Sequence, residues 1–169
     1  MDGKIIINEY TSEWKKQFQQ EGELLTSILK EKAIKIEHIG STAVEGLASK
    51  SLIDLMLGVH ELGVVDAFIE PLAKIGYEQV MHEAFPNRRF FRKGKWRAGT
   101  HHLHVYVYSS EEWTNQLLFR DYLRSNQSVR EAYANLKIDL ANQYPYDRVS
   151  YTNAKSAFIE TIIVTAKSQ

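Results

Sequence analysis

The stretch that decides the fold reads Ile36-Glu37-His38-Ile39-Gly40-Ser41-Thr42-Ala43-Val44-Glu45-Gly46-Leu47-Ala48 and continues through Lys50 to Ile53-Asp54-Leu55-Met56-Leu57. Apolar and charged residues alternate before Gly40, which predicts a strand. The small-residue turn Gly40-Ser41-Thr42 ends this strand and predicts the start of a short helix. The apolar run from Leu52 to Val59 predicts a second, buried strand that contains Asp54. We therefore expect the two strands to be neighbours in one sheet.

The turn and the aspartate together suit phosphate and metal chemistry. Glycine lets the backbone approach a ligand closely, and the hydroxyls of Ser41 and Thr42, with amides at a helix N-terminus, can hold phosphate oxygens. Asp54 can hold the magnesium that such phosphates carry. A carboxylate in an apolar strand is costly unless it is paired or bound to metal. Two other interpretations stay open: the tripeptide is only a turn with a helix cap, and Asp54 is paired with a lysine such as Lys50.

The remaining elements follow from periodicity and breaks. Residues 5–7 predict a short first strand, and apolar spacing after Thr11 or Ser12 predicts a long helix to about residue 32. Further predicted elements are a helix near residues 65–75 and strands at 77–80, 89–92 and 103–108. From Glu111 onward the chain predicts three helices, with breaks near Asn126 and Pro145 and with Thr152 as the cap of the last. This order predicts an α+β fold, a mixed β-sheet with flanking helices and a helical C-terminal tail, as a single domain over residues 1–169.

Composition excludes several classes of protein. The 169 residues are 44% hydrophobic and 25% charged, which is typical of a globular domain. The 21 basic residues balance 21 acidic ones, so no overall field attracts nucleic acid, and a nucleic-acid partner is not expected. The absence of cysteine excludes disulfides and thiolate catalysis. No apolar run is long enough to span a bilayer, so we expect a cytoplasmic protein with no membrane partner.

The chain resembles the GrpB family. The segments that carry the resemblance are His38–Val44, Gly46-Leu47-Ala48, Lys50, Ile53-Asp54, Thr100–Val105 followed by Glu112-Trp113, Phe119–Arg124, and Tyr151-Thr152 with Lys155. They extend over nearly the whole chain. The resemblance implies the nucleotidyltransferase-like superfamily, and it implies much less about activity.

One position departs from the pattern of active nucleotidyltransferases. Those enzymes place two acids at alternate positions of the strand after the Gly-Ser turn, so that both point at the same metals. Asp54 matches the first acid, but the second position is Met56, which cannot ligate magnesium. On the strand expected for a third acid, His102 and His104 share a face and His101 points the other way. Imidazole suits zinc, manganese, iron or nickel better than magnesium.

These observations assign candidate residues. Asp54 and His104 take the catalytic positions. A divalent metal (Mg, Mn or Zn) is assigned to Asp54, His102 and His104, with His38 as a further candidate ligand. The residues assigned to phosphate binding are Gly40, Ser41, Thr42, Lys50, Arg89 and Arg92. In the alternative interpretation, the histidines only make hydrogen bonds on a half-buried strand.

A basic stretch between residues 88 and 97 is the second chemical feature. It contains Arg88, Arg89, Arg92, Lys93, Lys95 and Arg97, interleaved with Phe90, Phe91 and Trp96. Arginine with aromatic residues suits phosphate and base contacts. A solvated hairpin edge protected by its charge is the alternative.

Three hypotheses for the function follow. The first is an enzyme that transfers a nucleotidyl group from a nucleoside triphosphate to a small molecule or protein. The second is a non-catalytic domain that binds a nucleotide or phosphorylated cofactor and has lost the second metal-binding acid at Met56. The third is an enzyme of another class that uses a histidine-rich metal site. The expected ligand of the first two is a nucleotide or a phosphorylated small molecule.

Overall fold

A computed structural model describes residues 3–95 and 98–169. Five strands of this part form one mixed sheet in the order β1-β2-β5-β4-β3. The strands are β1 (Lys35–Ile39), β2 (Ile53–Val59), β3 (Tyr77–Val80), β4 (Arg89–Lys95) and β5 (Ala98–Val107). The α+β class and the mixed sheet predicted from the sequence are confirmed.

Strand pairing fixes which polar residues are neighbours. β1 runs antiparallel to β2, with Ile39 opposite Asp54. β2 runs parallel to β5, with Asp54 opposite His102 and Met56 opposite His104. β4 is antiparallel to both β5 and β3. The predicted neighbour relation between the strand before Gly40 and the strand of Asp54 is therefore confirmed.

The described residues form five α-helices beside the sheet: α1 (Glu13–Leu29), α2 (Ile69–Lys74), α3 (Glu111–Ser125), α4 (Gln127–Gln143) and α5 (Arg148–Lys167). Single 3-10 turns occupy Lys30–Lys32 and Ser41–Ala43, and a longer 3-10 segment spans Leu62–Phe68. The helix expected after Gly40 is thus one 3-10 turn. Within the described ranges, no helix is both long and apolar enough to cross a membrane.

Two local predictions are wrong. The cap of the last helix is Asp147, whose carboxylate accepts a hydrogen bond from the Ser150 amide at 3.0 Å, while Thr152 lies inside the helix. Residues 5–7 do not form a strand of the sheet. The Ile5 amide instead donates to the Pro145 carbonyl. Ile5 is buried there among residues of α4 and α5, so its apolar side chain is covered by helices instead of by strand neighbours.

The two faces of the sheet have different surroundings. Leu55, Leu57 and Leu103 point to the face packed against α1 and form the main core. On the other face, α3 covers Met56, which packs against Trp113. Helices α4 and α5 pack against the segment that follows Gly40 through Val44 and Leu47. This segment therefore lies between the sheet and the helical tail.

Candidate metal and phosphate site

The face of the sheet that α3 leaves partly open carries a cluster of three metal-ligand side chains. The Nε2 atom of His104 lies 3.0 Å from Oδ1 of Asp54, and Nδ1 of His102 lies 3.6 Å from the same oxygen. One ligand atom from each of the three residues lies within 4.8 Å of the others. The parallel register of β2 and β5 causes this convergence, because Asp54 and His102 are directly opposite. The three residues together could hold a metal ion.

The electrostatics favour an ionised Asp54 and a neutral His102. Burial by itself would raise the pKa of Asp54, but the hydrogen bond from His104 and the charges of both histidines and Lys50 bring it below its usual value. Burial lowers the pKa of His102 to about 4. A charged oxygen and a neutral nitrogen are the forms that bind a metal ion.

Arg88 fixes the orientation of His104. Its guanidinium donates to Nδ1 of His104 at 3.4 Å and to Nδ1 of His82 at 2.7 Å, and it stacks on Phe90 at 4.9 Å. Because Nδ1 of His104 accepts this bond, the ring proton of the neutral imidazole resides on Nε2 and is donated to Asp54. Sequence reasoning placed Arg88 in a basic stretch but could not single it out, because only the loop before β4 directs it to the histidines.

The Asp54 carboxylate leaves no room for a side chain at residue 40, which is therefore a glycine. The glycine has φ +74°, and a Cβ atom there would lie 2.5 Å from Oδ2 of Asp54. The two carboxylate oxygens thus face different neighbours, Oδ2 towards Gly40 after β1 and Oδ1 towards the histidines on β5. Asp54 therefore stands between the phosphate turn and the histidine strand.

Gly40→Ala is expected to displace the Asp54 carboxylate and to abolish any metal-induced rise in melting temperature. The added methyl group meets Oδ2, and a positive φ costs an alanine roughly 1–2 kcal/mol. Gly46→Ala is the matched control, because Gly46 has φ +82° and open space where its Cβ would be. Thermal melts with and without Mn²⁺ would test this. Equal metal responses of the two variants would contradict the role of Gly40.

Three lysines from distant parts of the chain lie close to one another near Asp54 and Ala48. Lys137 of α4 is only 2% exposed and donates to the Ala48 carbonyl at 2.5 Å. The negative charge of Asp54 raises the pKa values of Lys50 and Lys155 and so opposes the effect of their burial. Burial, with the charge of neighbouring lysines, lowers the pKa of Lys137 to about 7 and that of Lys155 to about 8. We call Gly40, Ser41, Asp54, Lys50, Lys137 and Lys155 the phosphate corner.

Two tyrosines complete the phosphate corner. Tyr151 is 1% exposed, and its hydroxyl has no hydrogen-bond partner among residues 3–95 and 98–169. Lys50 and Lys155 lie over its ring, at 5.2 and 4.6 Å from the centroid. Tyr133 stacks on Phe158, and its hydroxyl interacts with the Ser41 side chain. A buried hydroxyl without a partner is unfavourable, so this position suits a bound group that supplies an acceptor.

Neither Lys137 nor Lys155 was predicted from the sequence to be a site residue. A signal did exist for Lys137: with Tyr133, Leu140 and Ala141 it lies at helical spacing on the buried face of α4, where a charged residue is unusual. The closeness of these lysines to Gly40 depends on how α4 and α5 pack, which the sequence pattern does not give.

Thr42 and His38, two candidate site residues, make contacts away from the Asp54 carboxylate. The Thr42 hydroxyl donates to the Leu52 carbonyl and accepts from Nε2 of His38, both at 3.0 Å, so its proton is not available for a phosphate. His38 pairs with Leu55 in the sheet and stacks on Phe18 of α1, with ring centroids 4.6 Å apart. It therefore lies on the face opposite Asp54 and is not a ligand to the same metal.

The basic stretch divides between the two faces of the sheet. Arg89 pairs with Val105 and donates to the Pro86 carbonyl, so it lies on the face of the sheet opposite Asp54. Lys93 is also on that far face, bound to Glu21 at 2.8 Å. Arg92 pairs with His102 and lies on the face of Asp54, with an ion pair to Glu78 at 3.3 Å. Trp96 and Arg97 lie outside the described residues.

Met56 occupies a position that could not hold a second acid without repacking. It is fully buried and packs with Ile39, Tyr106 and Trp113 under α3. A carboxylate there would be buried among apolar groups, which is costly. The departure at Met56 is thus part of how α3 is seated on the sheet.

Two arginines of α3 hold the phosphate turn from behind. Arg120 donates to the His38 carbonyl at 3.1 Å and pairs with Glu37 at 2.7 Å. Arg124 donates twice to the Ala43 carbonyl, at 3.0 and 2.8 Å. Both line a cavity of about 770 Å³ on the far side of the turn. Because they bind backbone carbonyls of the turn, we interpret them as positioning residues.

Solved structures identify the class of fold. The chain superimposes on the Cid1 poly(U) polymerase bound to MgATP with a TM-score of 0.59 at 16% identity, covering 88% of this chain and 50% of that one. This similarity defines a nucleotidyltransferase-like fold, and it shows the fold alone.

The chain belongs to the GrpB family. The family model described as GrpB protein matches residues 4–165. The glutamate-rich protein GrpB of Alkalihalophilus pseudofirmus is 36% identical over 165 residues, which are 95% of each chain. The crystal structure of the conserved protein GrpB from Enterococcus faecalis matches with a TM-score of 0.89 at 40% identity, covering 95% of this chain and 96% of that one. The resemblance predicted from the sequence is confirmed.

Proposed function

We propose that the chain binds a nucleoside triphosphate with a divalent metal and transfers its nucleotidyl group to a small molecule or protein. The observation that carries this proposal is the charge of the phosphate corner, where Lys50 and Lys155 interact with the carboxylate of Asp54 and Lys137 lies near both of these lysines. Buried cations require compensation, and a triphosphate supplies both the negative charge and acceptors for the Tyr151 hydroxyl. The bound MgATP of Cid1, which shares this fold, supports the choice of ligand class.

Each group of the corner has a role in this proposal. The backbone at Gly40 lets a phosphate approach closely. The Ser41 hydroxyl donates to a phosphate oxygen, and Lys137 and Lys155 neutralise the charge that develops on the leaving pyrophosphate. Asp54 with His102 and His104 would hold the divalent metal, which when bound polarises the phosphoryl group. Imidazole ligands favour Mn²⁺ or Zn²⁺ over Mg²⁺.

A direct binding experiment tests the ligand class. Melting temperatures are measured with Mg²⁺, Mn²⁺ or Zn²⁺ alone, and with each metal plus ATP, CTP, GTP or UTP. A ligand at 100 times its Kd stabilises the fold by about 2.7 kcal/mol, which is readily measured. If no nucleotide stabilises the protein with any of these metals, the proposal is wrong.

Ser41→Ala is expected to weaken nucleotide binding by about 1 kcal/mol or more, because it removes a hydrogen bond to a charged group. Folding should be nearly unchanged, because Ser41 is only half-buried. Ser27→Ala is the control, because the Ser27 hydroxyl binds the Leu24 carbonyl on α1, away from the corner. Titration calorimetry with the best nucleotide would measure both. Unchanged affinity in Ser41→Ala would refute its role.

The burial of Met56 favours a second candidate, a domain that binds the nucleotide without transferring it. Two-metal transfer uses a second acid, which Met56 does not supply. Incubation with α-labelled nucleotide and a small-molecule extract separates the candidates. Label appearing in a new product with release of pyrophosphate supports transfer, whereas tight binding without either supports the domain. The cytoplasmic location stays a prediction, which imaging of a tagged chain would test.

A further inference from the structure

A second pocket adjoins Asp54 on the side away from Gly40. This basic cleft has a volume of about 420 Å³ and lies between the N-terminal segment, the β4–β5 hairpin and the start of α5. The basic residues that line it are Lys4, Lys50, Arg92, Lys95 and Arg148. Among the described residues of the lining, none is Asp or Glu. In a chain with zero net charge, this local excess points to an anionic ligand.

Arg148 has a guanidinium nitrogen without a hydrogen-bond partner among the described residues, which suits an anionic ligand. It is the first residue of α5, and its Nε atom is shielded from solvent with no hydrogen-bond partner among the described residues. A shielded guanidinium nitrogen needs an acceptor, and phosphate is the acceptor that arginine binds best. The opposite wall is apolar, with Ile5, Leu52 and Phe90. The lining therefore fits a ligand with a phosphate group and an apolar part.

The cleft borders the phosphate corner and shares Lys50 with it, and sheet order gives the two sites different neighbours. Gly40 follows β1 on one side of Asp54, and His102 lies on β5 on the other side. Lys137 lies over the ring of Tyr133, whose hydroxyl interacts with Ser41, whereas the hairpin residues of the cleft lie beyond His102. In phosphoryl and nucleotidyl transfer, the attacking and leaving oxygens are roughly in line. With the leaving pyrophosphate on the side of Ser41 and Lys137, an acceptor in the cleft is on the side from which the attacking oxygen comes.

We propose that the basic cleft binds the acceptor of the reaction, a phosphorylated small molecule with an apolar part. This inference rests on the proposed function. An acceptor hydroxyl oxygen forms a bond to the α-phosphorus while the bond from that phosphorus to the α,β-bridging oxygen breaks. Pyrophosphate leaves with the bonding electrons, and the hydroxyl proton passes to water at the open mouth of the cleft.

Binding of two separate probes tests the proposal. The probes are α,β-methylene-ATP with Mn²⁺ for the corner, and phenyl phosphate for the cleft, with phenol as the control that lacks the phosphate. We expect phenyl phosphate, and not phenol, to bind both with and without the ATP analogue. Arg148→Gln and Lys95→Gln should each weaken phenyl phosphate at least tenfold and leave the affinity for the analogue within threefold. Lys74→Gln, on exposed α2, should change neither affinity.

Each alternative result of these binding measurements leads to a different conclusion. If the two cleft variants weaken the ATP analogue as much as phenyl phosphate, the cleft is part of the nucleotide site and the inference is wrong. It is also wrong if phenyl phosphate does not bind, or if a short single-stranded RNA binds the cleft and phenyl phosphate does not. If phenyl phosphate binds in an Arg148-dependent way while the analogue does not bind at all, the anion site stands and the proposed transfer function fails.

Discussion

Lys137→Met is expected to raise the melting temperature of the ligand-free protein by several degrees and to abolish its stabilisation by nucleotide. The Lys137 ammonium is buried beside Lys50 and Lys155, and its pKa is lowered from 10.5 to about 7, first by burial. At pH 7 this corresponds to a cost of roughly 5 kcal/mol. Methionine keeps the apolar stem but loses the bond to the Ala48 carbonyl, a loss of about 1–3 kcal/mol. The remaining gain of about 2–4 kcal/mol corresponds to roughly 4–16 °C in a chain of this size.

The pH dependence of unfolding provides an independent readout of the same change. Lys137 and Lys155 have folded-state pKa values of about 7 and about 8, below the value of 10.5 for an exposed lysine. Between these values the unfolded chain binds more protons, so the free energy of unfolding of the wild type rises as pH increases from about 7 to about 10. Lys137→Met should show a weaker rise. Urea unfolding at several pH values would measure it.

Lys74→Met is the control for this change, because Lys74 is exposed on α2 and its loss should alter neither stability nor ligand response by much. A fall in melting temperature of Lys137→Met by several degrees would show that the lysine stabilises the fold. A nucleotide response equal to that of the wild type would show that Lys137 is outside the ligand site.

Asp54→Ala and His104→Ala are each expected to abolish the same rise in melting temperature caused by Mn²⁺ or Zn²⁺ with nucleotide. Nε2 of His104 and Oδ1 of Asp54 are 3.0 Å apart and converge with His102, so removing either group dismantles one centre. The double variant should lose no more than either single variant, because groups that act as a unit are not additive. Each response is measured relative to the variant's own ligand-free melting temperature.

The matched control is His101→Ala. His101 is on the same strand but faces Glu21 on the opposite side of the sheet, with its Nε2 3.8 Å from the carboxylate. Its ligand response should equal that of the wild type. If His104→Ala keeps the full response to metal and nucleotide, the histidine is structural and only orients Asp54. If the double variant loses more than either single variant, the two residues serve separate ligands.

Local sequence patterns were sufficient for the centre of the fold. Alternation before Gly40 and the apolar run around Asp54 predicted the two neighbouring strands, because a strand repeats its environment every two residues. The same period placed His102 and His104 on one face and His101 on the other, which agrees with their contacts to Asp54 and Glu21. The breaks between the three C-terminal helices were also visible in the sequence.

Tertiary structure alone decided which other side chains meet Asp54. Strand register places His38 opposite Leu55 and so removes it from the site, and the loop before β4 directs Arg88 instead of Arg89 to His104. Lys137 reaches the Ala48 carbonyl across 89 residues of sequence. Periodicity reports the environment of an element over a few residues, whereas convergence at a site depends on how separate elements pack. The sequence alone therefore determined the strands, the turn and the shared face of the histidines. Only the packing of α4 and α5 against the segment after Gly40 assembled the phosphate corner.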